Sequence, residues 1–248
     1  SGSNNNTNKQ IRTGASLTYD FKNIKGLKAK GYINYIDNIG LTHAFTKQAD
    51  FYLYDVDLNQ NRWIRSSQNP TALTESSSTG YNLTQQYSLM YDNIFNKTHH
   101  VSALALYENI NYKDQWFYTN RSGFLSTALD QLFAGDLATS ANNGAASEMG
   151  RVSWVGRVNY SYMDKYLIET VFRADASAKF PSNSRWGYFP SVSMGWVMSQ
   201  ENFIKSLNIV DNLKLRASYG QSGNDAVGNY QYLSGYSFDG SYKLRIYN

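Results

Sequence analysis

The residues able to do chemistry in this chain stand in arrangements that do not complete a site. Asp55-x-Asp57-x-Asn59 starts like a calcium-binding loop, which needs glycine at its sixth position and a bidentate glutamate at its twelfth. Those positions hold Gln60 and Ser66, so the stretch reads as a polar surface loop. His99 and His100 are adjacent, and neighbouring side chains on a strand point to opposite faces, so the two cannot chelate one ion. His43 stands alone. Glu169 and Asp175 share a face but lie about 20 Å apart along a strand, too far for the paired carboxylates of a glycosidase. Cysteine is absent, which removes thiolate nucleophiles, disulfides and Cys-ligated metals. No G-x-S-x-G elbow, Walker loop or H-E-x-x-H pair occurs. The Asn-x-Ser/Thr triplets at Asn82, Asn96, Asn120 and Asn159 read as coincidental. The expectation is a non-enzyme with no catalytic residue, no metal ligand set and no cofactor.

Strands carry these side chains. Period-two alternation recurs from end to end, and helical periodicity is scarce. Ile11, Thr13, Ala15, Leu17, Tyr19 and Phe21 share one face, and Tyr81, Leu83, Tyr87, Leu89, Tyr91 and Phe95 share another. Further strands are expected at Gly26–Asn38, His100–Tyr112, Gln115–Arg121, Arg151–Met163, Tyr166–Ser177, Gly187–Ser199, Asn212–Gly220, Tyr230–Phe238 and Tyr242–Tyr247. Many of these runs span about 9–13 residues, against the usual strand of about 5–6, and at a tilt near 40° such lengths cross a hydrocarbon layer of about 25 Å. Short turns are expected at Lys22–Lys25, Asn96–Thr98 and Met163–Lys165, and long polar loops at Gln60–Gly80 and Phe124–Gly150. SGSNNNTNKQ, at the start, reads as a loop.

Composition fits strands with one greasy and one wet face. Charged residues are 17%, below the roughly 25% of soluble domains. Aromatics are 15%, with 21 Tyr against 12 Phe. The net charge of +4 is spread over scattered Lys and Arg, whereas a nucleic-acid groove would need a basic stripe. No apolar run approaches the roughly 18–20 residues of a membrane helix, but barrel strands hide their hydrophobicity in alternation.

The hairpin RVNYSYMDKYLIETVFRADASAKF shows the pattern best. With Met163-Asp164-Lys165 as the turn, Tyr162 faces Tyr166, Tyr160 faces Ile168, Val158 faces Thr170 and Gly156 faces Phe172. The even face then carries Trp154, Val158, Tyr160, Tyr162, Tyr166, Ile168, Phe172 and Ala174. The odd face carries Ser153, Arg157, Asn159, Ser161, Glu169, Arg173 and Asp175. A slip of one residue would exchange the faces, so the register is strongly specified. Trp154, Tyr160, Tyr162 and Tyr166 are expected to be membrane-interface aromatics, their rings in acyl chains and their polar atoms at headgroups. Arg157, Asn159, Arg173 and Asp175 are the lumen- or plug-facing candidates.

The same residues resemble a family. Gly156, Arg157, Asn159, Tyr160 and Tyr162, then Asp164, Lys165, Tyr166 and Leu167, then Arg173, Asp175 and Ser177 follow G-R-x-N-Y-x-Y, D-[KR]-Y-L and R-x-D-x-S. Arg185, Trp186, Gly187, Phe189, Pro190, Ser191, Gly195 and Trp196 continue it, followed by Leu213–Arg216, Ser218–Gly220 and Ser222–Asn224. Order and spacing are similar to the barrel of SusC/RagA-type TonB-linked outer-membrane transporters. The resemblance implies an all-β fold, an antiparallel up-and-down transmembrane β-barrel. Residues 1–248 would form one partial-barrel segment of about ten to thirteen strands, from a parent of roughly 22. No plug domain or amino-terminal extension is recognisable, so a middle piece of a longer transporter is expected, unable to close by itself because open edges are not tolerated in lipid.

The resemblance also implies an integral protein of the Gram-negative outer membrane that imports oligosaccharides or peptides. Its partners would be a SusD-like surface lipoprotein, outer-membrane lipid, and, through the rest of the parent chain, a plug and TonB. No nucleic-acid partner is expected. The long loops are the candidates for lid or ligand contact, with Trp116, Phe117 and Tyr118 as candidate loop ligand contacts able to stack on sugar rings. Two readings compete: a complete small outer-membrane barrel, acting as a passive pore or surface adhesin, and a soluble β-sandwich carbohydrate-binding module. The sandwich predicts tyrosine faces packed against a second sheet in a dry interior.

Overall fold

Alternating sequence becomes strand nearly throughout. The computed structural model describes residues 2–48, 50–55, 60–65, 70–207, 209–233, 235–239 and 243–247. In chain order they form β1 (Ser3–Asp20), β2 (Leu27–Thr46), β3 (Asp50–Asp55), β4 (Gln60–Arg65), β5 (Ala72–Phe95), β6 (His99–Ser122), β7 (Ala141–Tyr162), β8 (Tyr166–Ser177), β9 (Trp186–Val197), the one-turn α1 (Asn202–Lys205), β10 (Lys214–Gly220), β11 (Gly235–Asp239) and β12 (Lys243–Tyr247). Eight strands make one antiparallel sheet, ordered β1-β2-β5-β6-β7-β8-β9-β10, while β3–β4 and β11–β12 are separate hairpins. The large sheet does not close on itself: β1 and β10 are its edges. Consecutive neighbours, with only the β3–β4 hairpin interposed, make it a meander.

The chain divides into two compact units. Unit 1 comprises Ser1–Arg12, Ile36–Tyr81 and Lys113–Ser147, and unit 2 comprises Thr13–Tyr35, Asn82–Tyr112 and Glu148–Asn248. Two tight turns lie in unit 2. At Met163-Asp164 both residues have positive φ, 51° and 55°, and the Lys165 N–H donates to the Tyr162 carbonyl at 3.0 Å. Asn96 and Lys97 repeat this at φ 49° and 59°, with the Thr98 N–H on the Phe95 carbonyl. Two positive-φ residues give a primed turn, whose twist matches that of the flanking strands. The register of β7 with β8 pairs Tyr162 with Tyr166, Tyr160 with Ile168, Val158 with Thr170 and Gly156 with Phe172, as the alternation requires.

Several strands are longer than the sequence suggests. His100–Tyr112 and Gln115–Arg121 are parts of one strand, β6, of 24 residues, or about 79 Å at ~3.3 Å per residue. SGSNNNTNKQ is not a loop beyond its first residues, since β1 starts at Ser3. The expected loop Phe124–Gly150 is irregular only to Ser140, where β7 begins at Ala141. The expected loop Gln60–Gly80 contains β4 and the start of β5, and its residues 66–69 lie outside the described residues. The expected strand at Tyr230–Phe238 begins only at Gly235. The cause of the misreadings is common: NNNTN, TESSST and ANNGAAS are polar on both faces, so no alternation marks them, yet backbone pairing sustains a strand without it.

No dry core forms. Among the described residues the buried apolar side chains are Phe45, Leu73 and Ala174. The tyrosine-bearing face lies open: Trp154 is 55%, Phe172 50% and Tyr188 59% exposed. A sandwich interior would bury these rings, so the β-sandwich reading is wrong for this sheet.

Candidate membrane-facing and polar-facing sites

Parity lines the rings up in two rows, both within unit 2. The first crosses the turn end of the sheet. His99 on β6 lies 4.9 Å from Tyr162 on β7, which stacks at 6.3 Å on Tyr166 of β8; Tyr166 stacks at 6.4 Å on Trp196 of β9, and Trp196 meets Phe203 of α1 at 6.5 Å. The register dictates this, since Tyr166 pairs with Tyr162 on one side and Trp196 on the other. Tyr160 joins through its hydroxyl, 2.8 Å from His99 Nδ1. In the connection after β9, the Glu201 carboxylate accepts hydrogen bonds from the Tyr166 hydroxyl at 2.7 Å, the Trp196 indole N–H at 3.3 Å and the Lys165 ammonium at 3.4 Å. The Tyr166 hydroxyl above all, then Trp196 and Lys165, hold the Glu201 carboxyl below its ordinary value.

The second row comprises Tyr87, Tyr107 and Trp154, with centroids 6.3 and 4.7 Å apart, and the stacked pair Phe172–Tyr188 at 6.2 Å. Small Ala174 pairs with Trp154 on one strand and Tyr188 on the other. Three strands set the same interval between rows: 99 to 107, 154 to 162 and 188 to 196. Eight residues measure about 26 Å along a strand. Val158, Ile168, Thr170, Val192 and Met194 lie between the rows on the same face.

The opposite face is polar, and it divides the four odd-face candidates. Arg173 donates through Nε and Nη2 to both oxygens of Asp175, at 3.3 and 3.1 Å, so these two form a unit. Asn159 donates instead to Ser102 Oγ at 3.2 Å, beside a hollow of about 470 Å3 that Glu169, Lys214 and Arg216 also line. Arg157 joins neither group. Around Arg173 the chain after β10 folds back. Arg151 pairs with Asp225, and the Lys179 ammonium donates to the Asp225 carbonyl at 3.0 Å. Hydrogen bonding from Arg151 is the main reason the Asp225 carboxyl is held below its ordinary range. The Phe189 ring lies between two glycines: a Cβ on Gly187 would come 2.6 Å from it, and one on Gly223 would clash outright. Nothing local in the sequence marks Arg151–Asp225, whose members are 74 positions apart.

No family model matches the chain. It is 31% identical over 171 residues to TonB-dependent receptor P39 of Formosa agariphila, covering 66% of this chain and 16% of that receptor. To TonB-dependent receptor SusC of Bacteroides thetaiotaomicron it is 40% identical over 92 residues, 37% of this chain and 9% of SusC. The RagAB peptide importer in its closed-closed state superposes with a TM-score of 0.80 at 22% identity, covering 99% of this chain and 26% of that one. Its open-open state gives 0.78 at 21% identity, with 98% and 26% covered. The chain is homologous to the barrel of SusC/RagA-type TonB-dependent receptors. It spans 16% of the first of these curated receptors, and its open sheet matches part of a barrel.

In this SusC/RagA-like sheet, Trp116, Phe117 and Tyr118 are not in a loop. They lie within β6, where Trp116 and Tyr118 stack on one face, 6.2 Å apart and 3° from parallel, and Phe117 points the other way beside Gly144. His99 and His100 point to opposite faces, His99 to the tyrosine row and His100 to Asp92 at 3.1 Å. His43, solitary in sequence, lies between Glu75 at 3.1 Å and Asp130 at 3.2 Å, tying the 123–140 connection to β2 and β5 of unit 1. Among the described residues no group of three or more His, Cys, Asp or Glu is placed to hold a metal. Asp57, Asn59 and Ser66 of the calcium-like stretch lie outside the described residues.

Proposed function

We propose that this chain is part of the barrel wall of an outer-membrane TonB-dependent importer that takes up oligosaccharides or peptides together with a SusD-like lipoprotein. The observation that carries the reading is the pair of aromatic rows eight residues apart, on a single-layer sheet whose face between them is apolar and open. Outer-membrane barrels have an apolar band about 25 Å tall with an aromatic girdle at each interface, and about 26 Å along strands tilted near 40° rises about 20 Å, most of such a band. Trp154, Tyr107 and Tyr188 belong to one girdle, and Tyr160, Tyr162, Tyr166 and Trp196 to the other. The polar face, with Arg157, Asn159, Arg173 and Asp175, then looks into the lumen or onto a plug supplied elsewhere in a longer parent chain. The wall is a passive scaffold and performs no reaction. The long connections of unit 1 are the places for lid contact.

The test uses the full-length parent protein in its own cells. Membrane fractionation places it in the outer membrane, and labelled maltooligosaccharides and oligopeptides are offered to cells with and without a functional TonB. Uptake of either that disappears without TonB supports the reading. Uptake that persists without TonB favours the passive pore, and recovery in the soluble fraction refutes both.

A further inference from the structure

Arg173 and Asp175 line a recess of about 410 Å3 on the polar face, with Arg151, Asp225, Arg185 and Phe189 around it, within the usual size of a small-ligand pocket. Three arginines line it, and two have carboxylates: Arg173 has Asp175, and Arg151 has Asp225. Arg185 has none among the described residues. It is half-buried, and two hydrogen bonds tie it to neighbouring parts of the chain. Its Nε donates to the Phe180 carbonyl at 3.0 Å, and its own carbonyl accepts the Ser177 N–H at 3.2 Å. One fixed edge leaves the terminal nitrogens of the fork free to bind. A partly desolvated cation without a counter-ion is unfavourable, and a planar guanidinium matches the two oxygens of a carboxylate.

We infer that this recess is a carboxylate-binding site, with Arg185 as the group that grips the anion. The inference rests on the polar face looking into a water-filled lumen. Arg173 and Arg151 add positive potential while remaining tied to their own partners. Asp175 and Asp225 flank the recess, so a singly charged carboxylate is accommodated better than a dianion. The Phe189 ring, seated between Gly187 and Gly223, forms an apolar wall for the atoms next to that carboxylate. The ligand class is therefore one bearing a free carboxylate beside apolar atoms, as a peptide carboxyl terminus does.

The full-length transporter in detergent is titrated with N-acetyl-trialanine as the free acid and as the carboxamide, with binding read by saturation-transfer NMR. The free acid should bind about tenfold more tightly than the amide, the scale of one charge-assisted hydrogen-bonded pair. Arg185→Gln should level the two, while Arg185→Lys, which keeps the charge and loses the fork, should retain part of the preference. Equal binding of acid and amide by the wild-type protein, no binding of either, or an unchanged preference in Arg185→Gln overturns the inference. TonB-dependent uptake is scored separately in cells, so a missing acid preference in a working importer condemns this site alone, and absent uptake condemns the transporter reading.

Discussion

Strand β7 runs through both compact units and changes character between them. Its Ala141–Ser147 stretch, in unit 1, is ANNGAAS, polar or small on both faces. Its Glu148–Tyr162 stretch, in unit 2, alternates Trp154, Val158, Tyr160 and Tyr162 against Ser153, Arg157 and Asn159. Both stretches are strand, so backbone pairing alone is enough to make the ladder. Alternation is demanded only where one face meets an apolar medium. Unit 1 is held by particular side-chain contacts instead: Phe45 packs edge-on to Phe124 at 5.3 Å, Asn120 donates to the Leu73 carbonyl at 3.0 Å, and His43 bridges to Asp130.

The strongest way to break this contrast is to put one charge on each unit of the full-length protein. Val158→Arg, midway between the ring rows, should cost about 2–4 kcal/mol in folding into lipid vesicles, as arginine does at a bilayer midplane. Ala145→Arg, on the same strand in unit 1, should stay within about 0.5 kcal/mol, as surface substitutions do. Equal costs in urea titrations would remove the distinction between the units.

Gly223→Ala tests the polar face of unit 2. The added Cβ has no room beside Phe189, so about 1–3 kcal/mol of overpacking is expected in the melting of the purified protein. Glu201→Gln sharpens the account of the turn-end row. Because the folded carboxyl is held below its ordinary value, it adds stability above that value, about pH 4.3, and loses it as the pH falls through the lowered one. The wild-type protein should therefore lose melting temperature on acidification through this window, and Glu201→Gln should lose less. The smallest effect is expected at Ser153, 1% exposed, whose hydroxyl has no hydrogen-bond partner. Ser153→Ala removes a buried polar group and should be neutral or stabilising by up to about 1 kcal/mol, read as a small upward shift in the same melting curves.

Legibility in the sequence followed the contrast between the units. In unit 2 the hairpin turn, the register of β7 with β8 and the ring-bearing face are all readable, because a two-residue period is local and one shift would expose every apolar side chain on the wrong side. In unit 1 the ends of β1, β5 and β7 are missed because polar residues on both faces give no period to read, and Trp116–Tyr118, inside the expected strand Gln115–Arg121, carry rings on both faces and so mark neither as the apolar one. Of the odd-face candidates, Arg173 with Asp175 could be read as a pair from their spacing. Asp225, Phe189 and the glycines on either side of it could not, because the chain returns to them from far away.

The sequence by itself determined which residues share a face, where the tight turns fall and how far apart the rings stand, since each of these follows from counting in twos along one strand. Only the tertiary structure decided that the sheet stays open and that, among the described residues, its aromatic face has no second layer over it and Arg151 meets Asp225 while Arg185 meets no carboxylate. Those outcomes depend on which strands become neighbours and where the chain folds back. They are set by contacts between residues dozens of positions apart, which no local pattern encodes.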